Sequence, residues 1–435
     1  MGDVKMKRDR LRGFLKRRCP DLDIEDDDIK QLVAQGFNEY AIEGASEDVL
    51  TEVLPGRLGV VVGLVKTFGE PQLPAGIRLS ERRKCDFDFS ILDNWKSGVV
   101  PDTPITGVVL NTAVIADALE KFGGFPRRYY VRHEETMVFQ NCINSLKNQS
   151  KLRALILGSP GVGKSVFLVL FAFYLAHVES KSVIILRKLQ EAGQVGYACV
   201  HVSEKGSAGS RFRDLAEYRG IESSLPSDGS NQEETLLFLD GFHQDDIANV
   251  SVHGFLGGFN LLATSSQYRI RSVDGATRSI LLPAWRSEDL RLYAGRMEIF
   301  PEEEFEERFQ CAYSYSGGSL REFLRDDKER ENLFRTAMNC IVGDSVHTLL
   351  SKYGAGSNVQ VDTIRKLYVT DRFNVEHYVT ISEYIPTVDS TVALGELRDM
   401  FTEEEFQSIL TAGQSIGGAF LGLAYPSSRY NGSSV

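Results

Sequence analysis

Eight consecutive residues, Gly158, Ser159, Pro160, Gly161, Val162, Gly163, Lys164 and Ser165, carry the most specific chemistry in this chain. Their spacing is G-x-x-x-x-G-K-[ST]. Glycines at such positions let the backbone turn tightly and bring its N–H groups inward, which suits an oxyanion. The Lys164 ammonium can then reach the β- and γ-phosphates, and the Ser165 hydroxyl is placed to hold Mg²⁺. The loop therefore predicts binding of a nucleoside triphosphate with a magnesium ion.

A magnesium ion held by Ser165 calls for a carboxylate opposite it. Leu236 to Asp240 is an apolar run ending in an acid, so Asp240 is the expected partner, acting through water. Asn260 to Ser266 is a second apolar run with a polar end. That end is expected beside the strand leading into the loop, where Thr264 or Ser265 would sense the γ-phosphate; an ordinary Ser/Thr-rich strand end has the same appearance. Gly317 and Gly318 break the chain before a helix, and Arg321 in that helix is the expected cation over the phosphates. Arg269, Arg271 and Arg278 are alternatives that would act on a neighbouring copy. His243 and Gln244 follow Asp240, Gly241 and Phe242 directly, with Asp245 and Asp246 only beyond them. A general base must lie within hydrogen-bond reach of its water. The residues for binding are thus in place, whereas the acid that would activate water is displaced.

These residues need a scaffold. Ala154–Leu157 reads as the strand before the loop and Val166–Val178 as a buried helix after it. Glu134–Leu146 reads as a helix leading into that strand, and Arg128–Arg132 as a short strand before it. Ser182–Arg187, Tyr197–Val202, Thr235–Asp240 and Phe259–Thr264 read as further strands, and Arg211–Tyr218 as a helix. Such alternation predicts an α/β layer structure, a parallel sheet with helices on both faces. Beyond Pro283 the pattern is helical: Ser287–Arg296, Pro301–Tyr313, Leu320–Asp326 and Arg330–Ile341 form an expected helical lid. Lys366–Ile385 is expected to hold a strand pair.

In their order these pieces resemble the AAA+/STAND class of P-loop NTPases. More narrowly they are similar to the NTPase of the Crinkler proteins of oomycetes and the retrotransposon hot spot proteins of trypanosomes. The stretches that carry the resemblance are YYVRHEE, LILGSPGVGKSVFLVLFAFYLA, LLFLDG, LLATSSQY, LLPAWRSEDL and YSYSGGSLREFL, within roughly residues 126–345. The resemblance implies a three-layer P-loop NTPase sandwich that binds ATP and Mg²⁺ and uses nucleotide state to drive conformational change or assembly. No N-K-x-D guanine reader follows the core, which leaves ATP as the expected base. Two features of the family are missing: the D-G-x-D-E form of the acidic strand, and an N-terminal header of LFLAK type. Residues 346–435 show the acidic cluster Glu403, Glu404 and Glu405 but no D…E-x-K nuclease constellation.

The N-terminal part has its own character. Lys5, Lys7, Arg8, Arg10, Arg12, Lys16, Arg17 and Arg18 make its start basic. The helical rhythm that follows, with Asp26, Asp27 and Asp28 at one helix start and Ser46 capping another, resembles a SAM-type bundle, which implies protein partners. The expected organisation is 1–70 basic start and bundle, 71–125 linker and irregular segment, 126–285 NTPase core, 286–345 lid, and 346–435 a small C-terminal domain.

At 435 residues the chain has room for roughly two to four domains and a sizeable core. Its net charge of -11 argues against a surface that coats nucleic acid, leaving only the basic start for such a role. The six cysteines have no zinc spacing and fit a reducing compartment. The longest apolar run, Val166–Ala176, is too short to span a bilayer, and no secretory segment is expected. The expected location is intracellular, cytoplasmic or nuclear, or a host nucleus if the chain is a translocated effector. A homo-oligomer is compatible with the NTPase reading. Two other readings stay open: a nucleotide-bound scaffold that does not hydrolyse, and an effector directed at nucleic acid.

Overall fold

The computed structural model describes residues 2–19, 22–35, 47–57, 59–62, 64, 80, 83–95, 107–148, 153–191, 194–218, 235–248, 254–265, 268, 277–339, 341 and 363–414. The Gly36-Phe37 helix end, the Ser46 cap, most of the expected helix Val60–Phe68, the Glu70–Gly76 linker, the Ser223–Glu234 loop, Arg269, Arg271 and the Ser427–Val435 end lie outside the described residues.

The chain divides into two compact units, Met1–Leu79 with Phe212–Ser230, and Ser80–Arg211 with Asn231–Val435. The first unit contains the helices Gly2–Arg18, Asp26–Ala34 and Glu47–Val53. The first of these carries the basic start. Leu11, Leu15, Ile29, Leu32, Leu50, Leu54, Val61 and Leu64 meet in one buried cluster. Asp28 closes the second helix from inside: its Oδ2 accepts from the Glu25 amide at 2.8 Å and pairs with Arg57 Nη2 at 2.8 Å.

The second unit is mixed α/β. Its strands are β1 (Val109–Asn111), β2 (Arg128–Tyr130), β3 (Arg153–Leu157), β4 (Val183–Glu191), β5 (Gln194–Ser203), β6 (Gly206–Phe212), β7 (Leu236–Asp240), β8 (Leu261–Ala263), β9 (Thr277–Leu281), β10 (Lys366–Val369) and β11 (Tyr384–Thr387). Seven of them form the central sheet, in the order β6-β5-β4-β7-β8-β3-β9. From β4 to β9 every pairing is parallel. β8 lies between the loop strand β3 and the Asp240 strand β7, with Ala154 opposite Leu261 and Asp240 opposite Ala263.

The expected parallel sheet is found from β4 to β9, but at its far side β4 and β5 pair antiparallel, from Val183–Val202 to Glu191–Gln194. Only residues 192 and 193 separate these strands, and so short a link joins antiparallel neighbours but no parallel pair. A second correction concerns Arg211–Tyr218. The strand β6 runs to Phe212, and the 3₁₀ segment Leu215–Glu217 follows it. Small residues hide this strand. A Cβ at Gly209 would lie 2.8 Å from the Phe122 ring and 3.0 Å from Cys199 O, so a larger residue does not fit. The segment taken as irregular holds a 3₁₀ helix at Phe89–Trp95 and β1, and Asn111–Phe122, which reads as helical in the sequence, contains the helix Ala113–Leu119.

The helix Lys164–His177 runs through the middle of this unit. Every residue from Phe167 to Ala176 is buried, so the helix has no solvent face. Phe139, from the helix His133–Asn148, meets Phe171 and Tyr174 at centroid distances of 5.2 and 4.8 Å. Phe238 of β7 stacks on Phe171 from the sheet side. Each such ring contributes about 1.5–3 kcal/mol by leaving water, which fixes the helix start against the sheet.

The lid region forms helices at Ser287–Arg296, Phe305–Ser316, Leu320–Phe323 and Asp327–Asn339. Leu320–Phe323 is a single turn, shorter than the pattern suggested. β10 and β11 pair antiparallel, Lys366 opposite Thr387 and Val369 opposite Tyr384. A second core of Phe334, Met338, Ile364, Val388, Leu394 and Leu397 joins the last lid helix to the C-terminal segment. Among the described residues no helix is long and apolar enough to cross a membrane.

Candidate phosphate-binding site

Parallel strands point their carboxyl ends to one edge, and open α/β sheets bind ligands along that edge. β3, β7, β8 and β9 bring there Gly158, Asp240, Thr264 and Leu282 respectively.

The backbone explains the glycines. Gly161 has φ +78° and Gly163 φ +108°, conformations that side-chain-bearing residues rarely adopt. A Cβ on Gly158 would overlap Leu282 O, the residue after β9. The helix starts at Lys164, directly after the turn, so its positive end faces the loop. Among the described residues the amides of Gly161, Gly163 and Ser165 donate to no acceptor. Lys164 Nζ donates to the loop's own carbonyls, Gly158 O and Ser159 O, at 2.8 Å each.

Ser165 and Asp240 meet directly: Ser165 Oγ donates to Asp240 Oδ1 at 2.6 Å. The other carboxylate oxygen, Oδ2, accepts from Arg187 Nε at 3.0 Å, and this ion pair is buried. Arg187 ends up beside Asp240 because β4 and β7 are parallel with these residues in register.

Thr264 is also at this edge, but its groups are committed within the sheet. Its amide donates to Ile156 O at 3.0 Å and its hydroxyl to Phe242 O at 3.1 Å. Ser265 follows it, and Ser265 O accepts from Tyr268 N. Arg278, on β9, is held by Asn141 and Glu376.

The lid lies against the loop. Ser319 Oγ donates to Pro160 O and the Arg321 amide to Gly161 O, both at 3.2 Å. A Cβ on Gly161 would run into Ser319 Oγ, Glu322 Oε2 and Arg321 Cβ. Arg321 is thus at the loop through its backbone, while its side chain is 56% exposed and bonds Glu322.

Of the two acids that follow Asp240 at a distance, Asp246 is paired with neighbouring groups. Asp246 accepts from Lys188 Nζ with both oxygens at 2.9 Å and from the His243 amide at 2.8 Å. Burial alone would raise this carboxyl, but Lys188 and the His243 amide hold it below the ordinary value. Asp245 is exposed. No protein-family model and no curated protein matches this chain.

Several residues at the site had no role in the sequence reading. Val162 O accepts from Arg132 Nη2 at 3.2 Å and from Trp285 Nε1 at 3.1 Å, and Arg132 lies 4.7 Å over the Trp285 ring. Glu135 lies behind Gly163, where a Cβ would be 3.8 Å from its Oε1. Burial pushes the Glu135 carboxyl up to about 7, against the pull of Arg132. Arg372 ties this cluster to the C-terminal segment, pairing with Glu134 at 3.0 Å and Asp289 at 2.8 Å. Ser159 Oγ donates to Arg365 O and accepts from the Leu367 amide, each at 3.2 Å, so β10 reaches the loop itself. YYVRHEE marked the position of Arg132 and Glu135 without assigning them work; the other contacts are long-range and have no local signal.

Proposed function

We propose that this chain is an ATP-binding P-loop NTPase of the Crinkler and retrotransposon-hot-spot kind, whose nucleotide state moves the lid and C-terminal segment against the sheet. The observation that carries this reading is the 2.6 Å bond from Ser165 to Asp240, beside a turn whose glycines and open amides suit a phosphate chain. The residues fit the ligands. Lys164 Nζ donates to two loop carbonyls beside the turn, and Ser165 and Asp240 offer a hydroxyl and a carboxylate to a cation. When bound, Mg²⁺ would neutralise charge on the phosphate oxygens. Gly161 and the loop amides would orient the phosphates, and Ser319 and the Arg321 amide would transmit their presence to the lid. Helices of the first unit are the proposed contact for protein partners.

Equilibrium dialysis of labelled ATP against the full chain tests this reading. Saturable binding is expected; no binding overturns it.

The engagement of Asp246 by Lys188 favours a second reading, a nucleotide-bound scaffold with little turnover. Multiple-turnover phosphate release that Asp240→Asn abolishes would exclude it.

A further inference from the structure

Asp240 is an unusual metal anchor because a fixed cation already sits on it. Arg187 Nε donates to Asp240 Oδ2 at 3.0 Å, and both side chains are more than nine-tenths buried. The guanidinium is anchored from the other side. Its Nη1 donates to Phe122 O at 3.0 Å and Gly124 O at 3.1 Å, two carbonyls of the turn after the helix Ala113–Leu119. Gly123 between them has φ +94°, and a Cβ there would lie 2.9 Å from Arg187 Nη1. The turn is therefore shaped around this one side chain. Among the described residues nothing accepts from Nη2, which shares a guanidinium edge with Nε. That edge faces Asp240 and keeps one donor uncommitted.

The charges matter for an anionic ligand. Lys164 supplies one positive charge at the loop, and Asp240 would cancel it. A carboxylate 2.6 Å from Ser165 Oγ repels a phosphate chain unless a cation intervenes. In most designs of this type a bound divalent ion is that cation. Here a resident guanidinium already balances the carboxylate, with no ion needed.

We propose that Arg187 is the built-in counter-ion of Asp240 and lets the loop bind the triphosphate of ATP without a divalent cation. The inference rests on reading the loop as a nucleotide site, and it separates holding the nucleotide from any magnesium-dependent turnover. Arg187 acts through Asp240 and the local field, so it is a positioning residue.

The test is the affinity of the full chain for labelled ATP, measured with excess Mg²⁺ and again with excess EDTA. For the wild type the two affinities are expected within about threefold of each other. Arg187→Met is expected to bind within about threefold of wild type in Mg²⁺ and at least about tenfold more weakly in EDTA. A merely structural Arg187 would weaken both equally. Arg187→Lys, which keeps the charge, is expected to retain most of the binding in EDTA. If Arg187→Met does not fold, the wild type and Arg187→Lys still decide the matter. The proposal is overturned if the wild type needs Mg²⁺ by more than about tenfold, or if Arg187→Met loses the same factor in both buffers. A wild type that takes up no ATP in either buffer defeats the nucleotide reading itself, and is seen before any variant is made.

Discussion

Ser165 Oγ and Asp240 Oδ1 lie 2.6 Å apart, joining the first turn of the buried helix to the end of β7 across 75 residues of chain. The two groups expected to hold a cation are therefore pre-assembled. They are kept so by packing beneath them, Phe167 and Phe171 on the helix and Phe238 on the strand.

Removing one member of the Arg187–Asp240 pair leaves a buried charge alone. Asp240→Ala is expected to destabilise the second unit by about 3–5 kcal/mol. The double variant Arg187→Met, Asp240→Leu replaces both charges by apolar groups and is expected to recover most of that loss. Denaturant unfolding of the single and double variants measures the difference. Equal losses in single and double variants would show that the pair is not what holds this edge.

Gly161 is constrained twice, by φ +78° and by the lid side chains packed on it. Gly161→Ala is expected to cost about 1–3 kcal/mol and to push Ser319 and Glu322 off the loop. Hydrogen exchange of residues 319–324 should rise in this variant. Unchanged protection there would mean that the lid does not rest on the loop.

Glu135 gives a pH dependence with a definite sign. Its carboxyl is raised from an ordinary 4.5 to about 7 in the folded chain, chiefly by burial. Between those values the unfolded chain has already lost the proton that the folded chain keeps. The stability due to the neutral form is therefore complete below about pH 4.5 and is lost as pH rises through about 7, an effect of order 3 kcal/mol. Glu135→Gln cannot ionise and is expected to flatten this fall. Thermal unfolding of both proteins between those pH values checks it, and parallel curves would contradict it.

Ser159 joins the loop to β10 through two hydrogen bonds. Ser159→Ala leaves the buried Leu367 amide without this acceptor, at a cost of about 1–3 kcal/mol. Faster amide exchange across Lys366–Val369 is the expected signature, with the exchange of β7 unchanged.

What could be read beforehand was what local backbone chemistry dictates. The loop was legible because its turn needs glycines, and Asp240 because an acid ends an apolar run. The place of β8 beside β3 followed from the order of the strands. β9 was not legible: Thr277–Leu281 is a five-residue strand with no alternation, and its first three residues are all polar. β6 was hidden by Gly206, Ala208, Gly209 and Ser210, whose small side chains serve close packing and not pattern. Arg187 ended a readable strand, but its role depends on the register between β4 and β7. The contact of Ser159 with Arg365 spans 206 residues, and no local periodicity announces it.

The most direct measurement is calorimetric titration of ATP with Mg²⁺ into the full chain and into Lys164→Ala. The wild type is expected to bind one ATP per chain, and the variant at least about tenfold more weakly because it lacks the ammonium that meets the phosphates. Equal affinity in the two proteins would contradict the assignment of Gly158–Ser165 as the phosphate site.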